Sequence, residues 1–306
     1  MKKCRLMAGM LAIAGALLLQ IQTFAYWIED ETGWKFMRSD GSYIEESFEW
    51  IDGNFDGFAE MYYFDADGYC LQNKMKNGRT FNADGAWVYR GKIQSWDLRN
   101  LTGWYCLNGE EMYLENEGNI WRERITPDNI YVDTNGWKVL NSGIDEAMMA
   151  EKSKDCRYIV INKSSHYLER WENGEKTHSF IISSGYAKGD KAESGDMKTP
   201  EGEFYVCYKV PWSSYHLGLA LNYPTIEDAE RGLAAGLITE KEHDSIVRAN
   251  ERGLTPNFNT RLGGYIEIHG NRQIVNASQG CIGMRNEDVE ILYAVTSVGD
   301  KVLILP

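Results

Sequence analysis

The 306-residue chain reads as mainly β, with stacked β-hairpin repeats in its N-terminal half and a mixed, β-sandwich-like domain with inserted helices in its C-terminal half. Three observations predict this. Asp-Gly and Asn-Gly pairs recur after short aromatic runs between residues 26 and 140, and such pairs supply the positive φ that a tight hairpin turn needs. From residue 155 onward, apolar residues alternate on both sides of Asn173-Gly174, as in two half-buried strands joined by a two-residue turn. Further on, Thr225 with Asp228 and Thr239 with Glu242 mark two helix starts, since a threonine and an acid three residues later cap the free N–H groups of a first turn.

Residues 1–25 read as an export signal that is no part of the fold. Lys2, Lys3 and Arg5 precede an apolar stretch, Met7–Leu19, that is short for a bilayer span, and Thr23-Phe24-Ala25 offers a small-residue cleavage site. An uncleaved anchor is the alternative. Cys4 lies before the apolar stretch, which argues against a lipoprotein. Loss of this segment takes the formal charge from −13 to −16. So acidic a chain lacks the Lys and Arg clusters that bind phosphate backbones, which excludes nucleic acid and fits an extracellular protein or one that meets a cationic ligand.

Residues 26–140 carry a loosely repeated unit: Tyr62-Tyr63-Phe64-Asp65-Ala66-Asp67-Gly68, then Phe81-Asn82-Ala83-Asp84-Gly85-Ala86-Trp87, then Tyr131-Val132-Asp133-Thr134-Asn135-Gly136-Trp137. Hairpins this small must stack to bury their faces. The units resemble the aromatic cell-wall-binding repeats of Gram-positive surface proteins, a group that includes choline-binding modules. That resemblance implies that Trp34, Trp50, Tyr62, Tyr63, Trp87 and Trp104 wall cages for a quaternary ammonium, held by cation–π attraction, with choline or another wall polymer as partner. On the other reading the rings only hold the hairpins together.

Residues 141–154 read as a connector ending in a short helix, and 155–306 as a second domain. Its expected strands include the hairpin Tyr158–Gly174, a strand after Pro200-Glu201-Gly202, Tyr265–His269 and Lys301–Leu305. A last helix is expected from Asn286 to Gly299. The helical pair within 224–253 reads as a solvated face or a lid.

Past the export segment five cysteines remain: Cys70, Cys106, Cys156, Cys207 and Cys281. An odd number in an exported chain leaves at least one unpaired within it. None forms a Cys-x-x-Cys pair and the histidines lack metal-ligand spacing, so neither a metal nor a cofactor is expected. Cys281 stands out. His269 ends an apolar strand twelve positions earlier, close enough for a loop to bring a base beside a thiol that is mostly protonated by itself. Gly280 permits close backbone approach, and the N–H groups around Gly280 and Cys281 suit a tetrahedral oxyanion.

These residues resemble the L,D-transpeptidase catalytic domain (YkuD-like). The matching elements are Ile268-His269-Gly270, Ser278-Gln279-Gly280-Cys281 and the upstream Thr199-Pro200-Glu201-Gly202-Glu203-Phe204. The resemblance, over about 155–306, implies a secreted enzyme of a Gram-positive-type cell surface acting on peptidoglycan stem peptides. Cys281 would form a thioester with the stem peptide and release D-alanine, and an amine from a second stem would then take the acyl group in a 3→3 cross-link. His269 would be the base, steered by a carbonyl such as that of Gly270, with Gly280, Gly270 and Gln279 as oxyanion or orienting groups. Ser278, Arg285, Asn286 and His216 are the candidate substrate contacts. Gln279 stands where the family often has histidine, Gly283 where Arg or Asn is common, and the His–Cys spacing is short. These departures keep open a thiol hydrolase on the same substrate, and a wall-binding adhesin without activity is the third reading.

Overall fold

The computed structural model describes residues 26–38, 40–272 and 278–306; the expected export signal lies outside them. Among the described residues no helix is long and apolar enough to cross a membrane. The chain divides into two compact units. One runs to Glu123 and adds Val132–Lys138; the other comprises Arg124–Tyr131 with Val139–Pro306.

The first unit is a set of short antiparallel ladders, such as Tyr26–Glu29 with Trp34–Met37 and Phe48–Ile51 with Phe58–Tyr63. One turn design recurs. Asp65, Asn82 and Asp133 each donate their N–H to the carbonyl four residues on, and Gly68, Gly85 and Gly136 donate back to the first residue's carbonyl. The side-chain oxygen of that first residue accepts the N–H groups two and four positions later, at 2.8–3.1 Å. The three glycines have φ of 80°, 81° and 89°, a region where a Cβ is costly. Aromatic side chains fill the spaces between ladders. Tyr63 is buried against Phe48, Tyr62 meets Trp27 edge-on at 4.8 Å, and Trp34 also packs on Trp27. Trp50 lies against Trp96 and Trp104 against Tyr113. Cations already over three of these rings are the chain's own: Lys76 on Tyr63, Arg79 on Trp87 and Lys138 on Trp104, 4.3–5.2 Å from the centroids.

The second unit is built on eight strands: β1 (Arg157–Asn162), β2 (Tyr167–Glu172), β3 (Glu175–Ile181), β4 (Gly202–Ser213), β5 (His216–Leu221), β6 (Glu267–His269), β7 (Ile282–Gly283) and β8 (Lys301–Leu305). Their order is β3-β2-β1-β8-β4-β5-β6-β7. β1–β8 and β6–β7 pair in parallel and the others antiparallel. The long β4 serves two sheets, pairing with β8 through Gly202–Tyr205 and with β5 from Val206 on. Both faces of β1 are covered. Ile159 and Ile161 enter the main core with Leu219, Leu221, Ile268, Ile282 and Val302, whereas Tyr158 and Val160 pack with Met149 of helix α1 (Glu146–Lys152). The mainly β architecture expected from the sequence is thus present.

Helices α2 (Ile226–Ala234) and α3 (Glu240–Glu251) each start in a full capping box, on Thr225 and Thr239. They share a small core of Ala229, Ile238, Ile246 and Leu262. Two expected boundaries move. Helix α4 (Asn286–Val295) stops four residues before Gly299, because Thr296 turns extended and its hydroxyl donates to the Leu292 carbonyl. The strand expected from Tyr265 begins at Glu267, because Tyr265 has φ 57°, a left-handed conformation that no strand continues through. All five cysteines of the described residues are free.

Candidate active site

β6 and β7 carry the site. Ile268 and Ile282 are register partners and both point into the core. By strand alternation, Glu267, His269, Cys281 and Gly283 therefore share the opposite face. His269 pairs with Gly283 on one side and with Gly218 of β5 on the other. The space over these two glycines is taken by other side chains, Ser183 and Arg272 at Gly283 and Glu267 and Val210 at Gly218. Cys281, one residue before the β7 ladder, is the diagonal neighbour of His269 on that face.

The ring is fixed by the backbone. His269 Nδ1 lies 2.6 Å from the Gly270 carbonyl, so Nδ1 carries the proton and Nε2 is left with a free lone pair. Tyr215 covers the ring at 4.5 Å. Burial pushes the His269 pKa down, which the Gly270 bond offsets only in part. The Cys281 thiol donates to the Tyr265 carbonyl at 3.4 Å. Burial pushes this thiol up to about 11, against the backbone N–H of Glu267, which favours the thiolate. Near neutral pH the Cys281 thiol and the His269 imidazole are therefore both uncharged.

The loop before Cys281 is held from three directions. Ser278 Oγ donates to the Cys281 carbonyl at 2.6 Å and accepts the Gly280 N–H at 3.1 Å. That engages the Gly280 N–H inside the loop. The Gly280 carbonyl accepts the hydroxyl of Thr199, which itself accepts the Gly185 N–H, both at 2.8 Å. Gly280 has φ 133°, and a Cβ there would stand 2.6 Å from the Lys198 carbonyl. Main-chain bonds from Ser183 to Gly283 and from Tyr186 to Ser278 complete the support.

The other expected contacts separate by position. Asn286 Oδ1 accepts the Asn271 N–H at 2.7 Å, so it shapes the turn after His269. His216 Nε2 is 2.7 Å from Glu290 on α4, and Arg285 pairs with Glu287; both are partly open to solvent. Gln279 is exposed. Sequence reasoning did not single out Arg272, which reaches the Ile181 carbonyl at 2.8 Å and Asn129 Oδ1 at 2.6 Å. Nor did it single out Tyr186, Tyr215 and Tyr265, all exposed and in contact with Ser278, His269 and Cys281 in turn. The available signal was position: Tyr265 lies four residues before His269 and Tyr215 directly precedes His216. None of the described His, Cys, Asp and Glu residues group as a metal site.

Solved structures with similar folds include Pgp2, the helical cell shape determining protein of Campylobacter jejuni (22% identity over 52% of this chain and 55% of that one, TM-score 0.34). Others are an L,D-transpeptidase of Xylanimonas cellulosilytica (17%, 49% and 60%, 0.31) and one of Mycobacterium smegmatis (14%, 49% and 58%, 0.30). The chain spans little more than half the length of these proteins. No curated protein matches it. The part that carries the eight strands, His269 and Cys281, residues 157–304, matches the family model of YkuD, the L,D-transpeptidase catalytic domain.

Proposed function

We propose that the protein is an exported, peptidoglycan-modifying enzyme in which Cys281 is the nucleophile and His269 the base. The family match over 157–304 supports the substrate class. The observation that carries the mechanism is the register of β6 and β7, which sets Cys281 diagonally beside an imidazole whose Nδ1 is held by the Gly270 carbonyl.

As a stem-peptide carbonyl arrives, His269 Nε2 takes the thiol proton and sulfur bonds to the carbonyl carbon. The tetrahedral oxyanion then collapses, the C–N bond breaks and His269 protonates the leaving amine. An acceptor amine attacks the thioester and loses a proton to His269. The C–S bond breaks, and sulfur regains its proton. The Cys281 N–H is the donor assigned to the oxyanion. The aromatic repeats of the first unit hold the enzyme to wall polymer, choline being one candidate.

The test is the intact mass of the full-chain protein, and of Cys281→Ala and His269→Gln versions, after incubation with a tetrapeptide-bearing muropeptide, followed by product analysis. A Cys281-dependent thioester with cross-linked dimer is expected; His269→Gln should slow acylation about 100-fold or more. A thioester that yields only tripeptide would make the enzyme a hydrolase. No adduct and no turnover with any stem peptide would end the enzyme reading for this substrate.

A further inference from the structure

Glu267 is a titratable group beside the nucleophile for which the mechanism above has no use. It is the β6 residue opposite Cys281 by extension of the parallel register, and it lies on the same face as His269. Its carboxylate leans over Gly218, where a Cβ would stand 2.8 Å from Oε2, and Gly218 is the register partner of His269. The carboxylate thus fills, with Val210, the place of the side chain that the glycine lacks, on the strand next to His269.

Among the described residues, no hydrogen bond or ion pair reaches this carboxylate. The groups that feel its charge from β4 and nearby are the Cys207 thiol and the Tyr208 phenol, neither of them a cation. The basic residue that acts on Cys281, Lys191, is buried and already bound to Asp196 at 2.8 Å and to the Glu193 carbonyl at 3.0 Å. Burial raises the Glu267 pKa, and the carboxylate in turn opposes ionisation of the thiol. An unpaired carboxylate here works against the nucleophile in the free enzyme, so its use must come with a later partner.

We propose that Glu267 is the docking group for the acceptor's primary ammonium, and that it directs the thioester toward an amine in preference to water. The proposal rests on the peptidoglycan reading above and deepens it. The ammonium binds the carboxylate beside the Cys281 thioester and passes one proton to it, leaving a neutral amine. The amine nitrogen bonds to the acyl carbon, its second proton goes to His269, and the C–S bond breaks. Sulfur takes the proton from His269, and Glu267 releases its own to solvent. The raised pKa of the half-buried carboxylate suits it to accept that first proton.

The experiment compares nucleophiles on one acyl-enzyme. Full-chain wild type, Glu267→Gln and Glu267→Asp are acylated with a tetrapeptide donor in a mixture of an ammonium-bearing stem-peptide acceptor and hydroxylamine, which is uncharged at neutral pH. Dimer, hydroxamate and tripeptide are quantified together, and thermal unfolding checks that each variant is folded. Expected is a drop of roughly tenfold or more in the dimer-to-hydroxamate ratio in Glu267→Gln, partly restored in Glu267→Asp. The same ratio in Glu267→Gln as in wild type would overturn the proposal and leave the thiol mechanism standing. A wild type that acylates but gives no dimer at any acceptor concentration would overturn it too, in favour of a hydrolase. Failure of the wild type to acylate would defeat the stem-peptide reading itself, whatever stands at position 267.

Discussion

The hydroxyl of Thr199 donates a 2.8 Å hydrogen bond to the carbonyl of Gly280, across 81 positions of sequence. It also accepts the Gly185 N–H, so one side chain joins two loops immediately behind Cys281. Replacing it by the near-isosteric valine leaves a buried N–H and a buried carbonyl without partners. Thr199→Val should cost about 1–3 kcal/mol in urea unfolding and slow Cys281 acylation as the loop loosens. A variant of wild-type stability would show that the hydroxyl is dispensable.

Gly280→Ala should be worse. The residue needs φ 133°, and its new Cβ would meet backbone, the Lys198 carbonyl at 2.6 Å, which cannot swing aside as a side chain would. A loss of more than about 2 kcal/mol is expected, with acylation reduced in parallel. Paired measurements of melting temperature and thioester formation would reveal either loss.

The thiol titration can be read directly. With Cys281 at about 11, its alkylation by iodoacetamide, followed by peptide mapping to separate it from the other free cysteines, should keep rising through pH 9 to 10. The unfolded chain, with a thiol of ordinary pKa near 8.5, should level off earlier. A plateau by pH 8 in the folded protein would mean a resting thiolate and a different first step.

His269 gives a sign in the opposite direction. Its pKa lies below the usual 6.5 because burial opposes the imidazolium. Between that lower value and about 6.5 the unfolded chain holds more protons, so the stability due to this group is complete above 6.5 and falls with pH. Urea midpoints of wild type and His269→Gln should converge from pH 7.5 to 5. Parallel curves would exclude such a linkage.

Much of the local structure was legible. Asn173 and Gly174 adopt φ of 53° and 80°, as the dipeptide foretold, and both capping boxes form where Thr225 and Thr239 announced them. These depend on residues within four positions of one another. What escaped depends on distant partners. Nothing near Arg272 in sequence indicates Asn129, 143 positions away, and nothing near Ser278 shows that its hydroxyl would engage the Gly280 N–H. The left-handed Tyr265 was hidden as well, since an aromatic residue followed by Ile-Glu-Ile reads as strand throughout. At the site, residue types were readable and their division into reacting, supporting and surface groups was not, because burial and register decide it.

The path of the chain through Arg124–Tyr131 bears on how the protein can be divided in the laboratory. That segment counts with the second unit, yet the chain returns to the first for Val132–Lys138 before entering the second for good. Ile125 and Tyr131 pack with Ile181, and Asn129 holds Arg272. A fragment begun at residue 139, or cut to the family's 157–304, would look complete on a sequence map and still lack one wall of its core. A poorly soluble or inactive fragment would then report where the scissors fell, and the proposed activity should be assayed with residue 124 onward intact.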